Sequence, residues 1–309
     1  MKIGVGIGAG VGEEGNLGQM LAAFERAEVA SFDAAWMPNI FGFDAVMMLA
    51  LAGRVTSRLE LGTFVVPTYP RHPMALAQQA LTASAATNGR FTLGIGLSHK
   101  VVIENMLGLD YSKPVRHMRE YLSVLTPLLS GDQVMYRGEE YRVTARVAVP
   151  DAPKPPVIVA ALGPQMLRLA GKMADGTATW MGGPRYLRET AIPAIRAAAA
   201  EAGRPAPRIV SGFPIAVTSR VDDAKEAAAK VFANYGALPS YRAVLDVEGA
   251  PGPADIAIIG SEVEVEAQVR QLAADGVTDF NASVFPVAGD AAASERTYEL
   301  LAGLAKAGV

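Results

Sequence analysis

From its first residues the chain alternates between eight short apolar, β-branched or Gly-rich runs and stretches whose apolar residues recur at helical spacing. The runs are residues 2–8 (KIGVGIG), 34–38 (AAWMP), 59–67 (LELGTFVVP), 91–97 (FTLGIGL), 156–162 (PVIVAAL), 177–181 (TATWM), 208–218 (RIVSGFPIAVT) and 279–287 (DFNASVFPV). Short apolar runs separated by helix-length amphipathic segments are the pattern of parallel strands joined by helical crossovers, and eight of them predict a sheet closed into a (β/α)8 TIM barrel. Chemistry is then expected on the loops that follow the strands.

Helices are predicted over residues 16–30, 43–56, 73–87, 114–129, 164–173, 184–202, 222–234, 262–274 and 292–307. Pro73, Pro114, Pro164 and Pro184 open four of them, where the missing N–H costs nothing and φ is preset. Three connections, 99–113, 131–155 and 236–261, are longer than such loops usually are and read as insertions. The last is the best candidate for a mobile lid. With no linker and no repeat in between, residues 1–309 read as a single domain.

Half of the residues are hydrophobic, enough for a large core, and the formal net charge of -3 offers no basic footprint for nucleic acid or an anionic membrane. A small-molecule ligand is the expected partner. The absence of cysteine excludes disulfides, thiolate nucleophiles and Cys-based metal sites. No signal-peptide or membrane-span pattern is evident, so a cytoplasmic location is expected.

Gly10, Gly12 and Gly15 form a G-x-G-x-x-G between a strand and a helix, with Asp33 near the distance of a ribose-binding acid. Glu13 and Glu14 inside that loop oppose an anion at a helix N-terminus, and a dinucleotide fold does not explain eight alternating units. The preferred reading is a strand-to-helix loop at the barrel mouth. Two further loops, ALGPQM (161–166) and WMGGPRY (180–186), each place Gly-Pro at a helix start, and together they suggest a phosphate cradle, with Arg185 as an added contact. Asn39, Thr68, Tyr69, Ser98 and His99 follow strands and are expected at the barrel mouth. Of the three histidines, His99 stands out at a strand end, where an imidazole donates a proton or a hydrogen bond. His72 reads as a helix cap or packing residue, and His117 as a surface or satisfied histidine. Their scatter gives no metal site, and no nucleophile elbow or P-loop is present.

The stretch LGTFVVPTYPRHPMALAQQALTASAATNGRFTLGIGLSH (61–99) resembles the signature of the luciferase-like flavin and deazaflavin oxidoreductases. PVRHMREYL (114–122), GEEYR (138–142), AALGPQMLRLAGKMADG (160–176) and TWMGGP (179–184) extend the likeness, which is nearest to actinobacterial-type members using the deazaflavin coenzyme F420. The resemblance implies a coenzyme ring held at the barrel mouth against a bulge with a non-prolyl cis peptide, falling here within residues 63–66. Asn39, Thr63, Phe64, Val65 and Ser98 would then surround the ring. Ala161, Leu162 and Gly163, with Met181, Gly182 and Gly183 alongside, would take the phosphate. Many relatives carry His or Asp where this chain has Asn39, which hydrogen-bonds but does not ionise, so proton transfer falls to His99 or to solvent. Met37, Phe64, Trp180 and Phe285 are the candidates for paving a substrate pocket.

The implied activity is hydride transfer between C5 of the deazaflavin and a C=C, C=N or C=O group, or the reverse oxidation of an alcohol. The alternatives are an FMN-dependent monooxygenase and a non-catalytic cofactor-binding paralogue. Relatives commonly form homodimers through helices beside the second and third strands, and the same is expected here.

Overall fold

The computed structural model describes residues 1–8 and 15–309. Gly10, Gly12, Glu13 and Glu14 of the glycine motif therefore lie outside the described residues. Twelve strands are present among those described: β1 (Lys2–Gly6), β2 (Ala34–Met37), β3 (Glu60–Thr63), β4 (Val66–Pro67), β5 (Phe91–Gly96), β6 (Val134–Arg137), β7 (Arg142–Ala145), β8 (Val157–Ala160), β9 (Gly176–Trp180), β10 (Arg208–Val217), β11 (Ile258–Gly260) and β12 (Asp279–Val284). β1, β2, β3, β5, β8, β9, β10 and β12 pair in parallel, and β12 returns to β1 to close the barrel. Each of the eight apolar runs contributes one barrel strand. The four helices opened by proline begin where expected, at Pro73, Pro114, Pro164 and Pro184.

Glycines inside the strands make room for large side chains in the barrel interior. A Cβ at Gly62 would fall 2.2 Å from the Trp36 ring, and one at Gly4 would fall 2.7 Å from Trp36 Nε1. At Gly212 a Cβ would meet Trp180 at 2.8 Å and Phe64 at 3.0 Å. Trp36 is fully buried, and together with Phe64, Ile158 and Val210 it fills the space within the sheet. These strand glycines thus serve close packing by their neighbours.

The N-terminal end of the barrel is closed by charge. Arg208, at the start of β10, reaches Glu60 Oε1 at 2.8 Å and Asp279 Oδ1 at 2.5 Å. Lys2 binds the other oxygen of Glu60 at 2.7 Å, and Thr92 Oγ1 donates to Glu60 Oε1 at 2.7 Å. Four strand starts and β5 are tied together by this cluster.

The three insertions are more ordered than their lengths suggest. Residues 131–155 contain the antiparallel hairpin β6–β7, whose turn is held by the buried Glu120 carboxylate; it accepts N–H groups from Glu139, Glu140 and Tyr141 at 3.0, 2.9 and 3.1 Å. Residues 99–113 include a wide helical turn, Val101–Met106. The candidate lid at 236–261 folds into the helix Pro239–Glu248, a short turn at Pro253–Ile256, and β11, which pairs with the far end of the ten-residue β10. β10 runs past the barrel rim and offers β11 a hydrogen-bonding edge, so this segment is not a structureless loop.

Among the described residues no helix is long and apolar enough to cross a membrane, and no cluster of three or more His, Asp or Glu side chains is placed to hold a metal ion.

Candidate functional site

A cavity of about 690 Å³ opens at the C-terminal ends of the barrel strands. That lies within the range of small-molecule and cofactor pockets. Its inner wall starts at β3, where the sheet is interrupted: the Phe64–Val65 peptide is cis, and the chain resumes pairing only at β4. Across the break the Thr63 hydroxyl substitutes for the ladder, donating to Gly94 O and accepting from Gly94 N, both at 2.7 Å. The peptide lies within the 63–66 interval expected from the resemblance. Phe64 and Val65 face the cavity, whereas Thr63 is fully buried behind them and does not line it.

Asn39, Ser98 and His99 also line the cavity. The Asn39 side-chain oxygen is already engaged, accepting from Ala45 N at 3.0 Å and from Arg71 at 3.3 Å, so its NH₂ is the group it offers to a ligand. Ser98 has a left-handed backbone, φ 60°, which turns the chain out of β5. Burial disfavours the charged form of His99 and lowers its pKa, so near neutrality the ring offers one N–H and one lone pair.

The two Gly-Pro loops have different fates. Ala161, Leu162 and Gly163 line the cavity, and Gly163 begins the ten-residue helix Pro164–Met173 with no side chain capping it. Its first-turn N–H groups therefore remain available to an anion. A Cβ added at Gly163 would meet no atom within 4 Å. Met181, Gly182 and Gly183 do not line the cavity. There the chain's own Glu248 takes the anion's place: its carboxylate accepts from Tyr186 N at 2.5 Å, and a Cβ at Gly183 would strike its side chain at 2.4 Å. Arg185 donates to Val247 O instead of reaching a ligand. The Tyr186 hydroxyl bonds to Leu162 O, tying the two loops together. The phosphate cradle is thus reduced to the first loop, because the insertion helix occupies the second.

Thr68 and Tyr69 do not line the cavity either; they pack on His117. The Tyr69 and His117 rings stack at 3.9 Å, and His117 Nε2 lies 2.9 Å from Thr68 Oγ1. His72 caps its helix by accepting from Met74 N at 3.2 Å. Asp33, the would-be ribose acid, accepts from Ile3 N at 2.8 Å. Phe64 and Trp180 pave the cavity, while Met37 and Phe285 are core.

Sequence reading missed Trp36, Arg71, Tyr235, Tyr241, Asn281 and Ser283 on the cavity wall. Asn281 and Ser283 alternate with the apolar Phe280 and Ala282 on the last strand, a period-two signal that was present in DFNASV. Tyr235 and Tyr241 sit in or beside the insertion, whose fold gave no signal.

His117 makes stability pH-dependent. Burial lowers its pKa to about 4, against the opposing pull of Glu120. The folded state therefore stays neutral while the unfolded chain takes up a proton, so stability falls as pH drops from about 6.5 and levels off below about 4. His117→Gln should flatten this limb of a urea-unfolding series between those limits, removing at most about 3 kcal/mol of pH dependence. The slope that remains as pH falls below about 6.5 belongs in part to His99, whose pKa burial also lowers.

A family model described as luciferase-like monooxygenase matches residues 1–293. An uncharacterized protein of Mycobacterium tuberculosis is 32% identical over 258 residues, covering 76% of this chain and 75% of its own. The F420-dependent glucose-6-phosphate dehydrogenase of Nakamurella multipartita is 35% identical over 163 residues, 50% of this chain and 48% of that enzyme. Among solved structures, the coenzyme F420-dependent tetrahydromethanopterin reductase from Methanopyrus kandleri superimposes with a TM-score of 0.80 at 22% identity, covering 97% of each chain. The closed barrel, the interrupted third strand and a match spanning nearly the whole sequence place this chain in the luciferase-like monooxygenase family.

Proposed function

We propose that the protein is an oxidoreductase dependent on coenzyme F420, moving a hydride between the cofactor and a small organic substrate. The observation that carries this reading is the uncapped start of the Pro164–Met173 helix opening at Gly163 into a cavity large enough for a tricyclic ring. The F420-dependent relatives support it. When bound, the deazaflavin would supply or accept the hydride at C5. The chain's own residues would do the positioning. Phe64 and Val65 form a wall for the ring, the Asn39 NH₂ donates to its polar edge, and the amides at Leu162 and Gly163 meet the phosphate, whereas the Ala161 N–H is held by Ala178 O at 3.2 Å and Ala161 only lines the cavity. Ser98 borders the ring, and the neutral His99 ring donates a hydrogen bond to the substrate atom that gains a proton.

The family is described by its monooxygenases, and a monooxygenase of the same fold has been solved in complex with FMN, so the cofactor decides the reaction class. Equilibrium binding of purified protein to oxidised F420 and to FMN tests the proposal. Micromolar or tighter binding of F420, with FMN at least tenfold weaker, is expected. Preference for FMN would move the assignment to a monooxygenase or flavin reductase, and tight F420 binding with no turnover on any substrate would indicate a non-catalytic paralogue.

We also propose a homodimer. Met47, Leu51 and Val55, spaced one turn apart on the helix Ala45–Val55, are 65%, 44% and 39% exposed, and Met74 on the next helix is 39% exposed. A contiguous apolar stripe of this kind is a candidate interface. Sedimentation should give twice the chain mass for the wild type and a shift toward monomer for Leu51→Asp; a monomeric wild type would overturn the assignment.

A further inference from the structure

The substrate end of the cavity carries a second message, which rests on the proposed cofactor site. Its wall is aromatic and continuous: Trp180 contacts Phe232 at 5.8 Å and Tyr235 at 6.1 Å between ring centroids, Tyr235 meets Tyr241 at 4.9 Å, and Tyr241 lies 6.0 Å from His99. The opposite rim is apolar, with Phe41 72% and Ile40 56% exposed. Exposed aromatic and aliphatic groups around a cavity mark a surface suited to an apolar ligand.

Charge narrows the class further. Arg71 is the only Lys or Arg among the described lining residues, and its guanidinium is engaged by Asp44 at 2.6 Å and Asn39 at 3.3 Å. Residues 9–14, AGVGEE, supply no basic side chain, whatever their arrangement. With the uncapped helix start at Gly163 taken by the coenzyme phosphate, an anionic substrate would find no free cation to replace its lost hydration. Among the unpartnered polar atoms of the described lining residues, the indole N–H groups of Trp36 and Trp180 are donors, and the acceptor is the side-chain oxygen of Asn281, which is 4% exposed. That oxygen accepts and does not donate, so it suits an N–H or O–H of whatever lies deepest in the cavity.

We infer that the substrate is an uncharged, mostly apolar molecule bearing a single carbonyl or enone group, held by Trp180, Phe232, Tyr235 and Tyr241 with its oxygen toward His99, and that phosphorylated substrates are excluded. Tyr241 is the specificity-determining contact, because it is delivered by the insertion helix Pro239–Glu248 and bridges His99 to the rest of the wall. The class differs from the sugar phosphate named for the Nakamurella multipartita relative.

Isothermal calorimetry on the 309-residue chain, with and without F420, tests this using cyclohex-2-en-1-one and glucose 6-phosphate as probes. The enone should bind, Tyr241→Ala should weaken it at least tenfold, Tyr241→Phe should stay within about threefold, and glucose 6-phosphate should give no binding heat with F420 bound at the Gly163 helix start. Phe41→Ser, on the opposite rim and outside the insertion, should also weaken the enone, which separates loss of an apolar wall from a displaced helix. Glucose 6-phosphate binding to the F420-loaded protein as tightly as the enone, or a Tyr241→Ala protein with unchanged enone affinity, would overturn the inference. F420 binding without enone binding would sink the substrate class alone. Tyr241-dependent enone binding to a protein that does not take F420 would sink the cofactor reading and leave the substrate class standing.

Discussion

Arg208→Ala should destabilise the protein by about 3–5 kcal/mol at pH 7, the range for breaking a buried ion pair from one side. Arg208 is the cation shared by Glu60 and Asp279, whose side chains are 15% and 3% exposed, and it also donates to Thr92 Oγ1 at 3.2 Å. Removing it leaves both carboxylates at the closed end of the barrel with Lys2 as the remaining cation, on Glu60 alone. Burial raises the Glu60 pKa, but Arg208 and Lys2 together bring it below 4.5. A carboxylate lowered in this way adds stability that is present above its unfolded value and disappears as pH falls through its folded value. The gap between wild type and variant, read from urea midpoints, should therefore be widest near neutrality and shrink below pH 4.5. Arg208→Lys keeps the charge but loses the fork that spans two acids, and should fall between the two. A variant as stable as wild type would mean that the cluster does not hold the strand starts together.

Gly163→Asp should weaken F420 binding about 100-fold or more, by setting a carboxylate against a phosphate at a partly desolvated site. The same substitution should leave the fold intact or slightly stabilised. The added Cβ meets open space, and Gly163 has the extended geometry, φ -86° and ψ 151°, of an N-cap, where aspartate is favoured over glycine by a few tenths of a kcal/mol. Binding and stability thus move in opposite directions, and a folding defect cannot imitate the result. Equilibrium dialysis with F420 alongside a thermal melt measures both. Unchanged affinity would place the phosphate elsewhere. The second Gly-Pro loop is the poorer alternative, since Glu248 already occupies it.

Barrel strands were legible in the sequence because each needs only a short apolar run, and the helix starts because proline at the first turn is a local signal. Ala161, Leu162 and Gly163 could be placed at the site for the same reason: strand, glycine and proline follow one another without a gap. The second loop has the same local pattern, yet its helix start faces Glu248, sixty-two residues away from Tyr186 in the chain. No local reading shows such a partner. The hairpin β6–β7 was missed although its residues alternate, because its turn is held by Glu120 on the preceding helix, Pro114–Leu129, and not by residues of the turn itself. Thr68 and Tyr69 were expected at the mouth because they follow a strand. The break at Phe64–Val65 precedes them, and they instead cover His117.

The chain has only two tryptophans, Trp36 and Trp180, and both border the same cavity. One is fully buried in the barrel interior and the other stands in the aromatic wall. Tryptophan emission from all 309 residues therefore originates at the site, so the protein carries its own optical gauge of that cavity. A bound ring would quench both emitters at short range, whereas events at the hairpin or on the outer helices would leave the emission nearly unchanged. With no cysteine in the sequence, a single introduced thiol on the insertion helix would take a dye at one place only, making Trp180 and that dye a ready donor–acceptor pair for testing whether the helix shifts when the cavity fills.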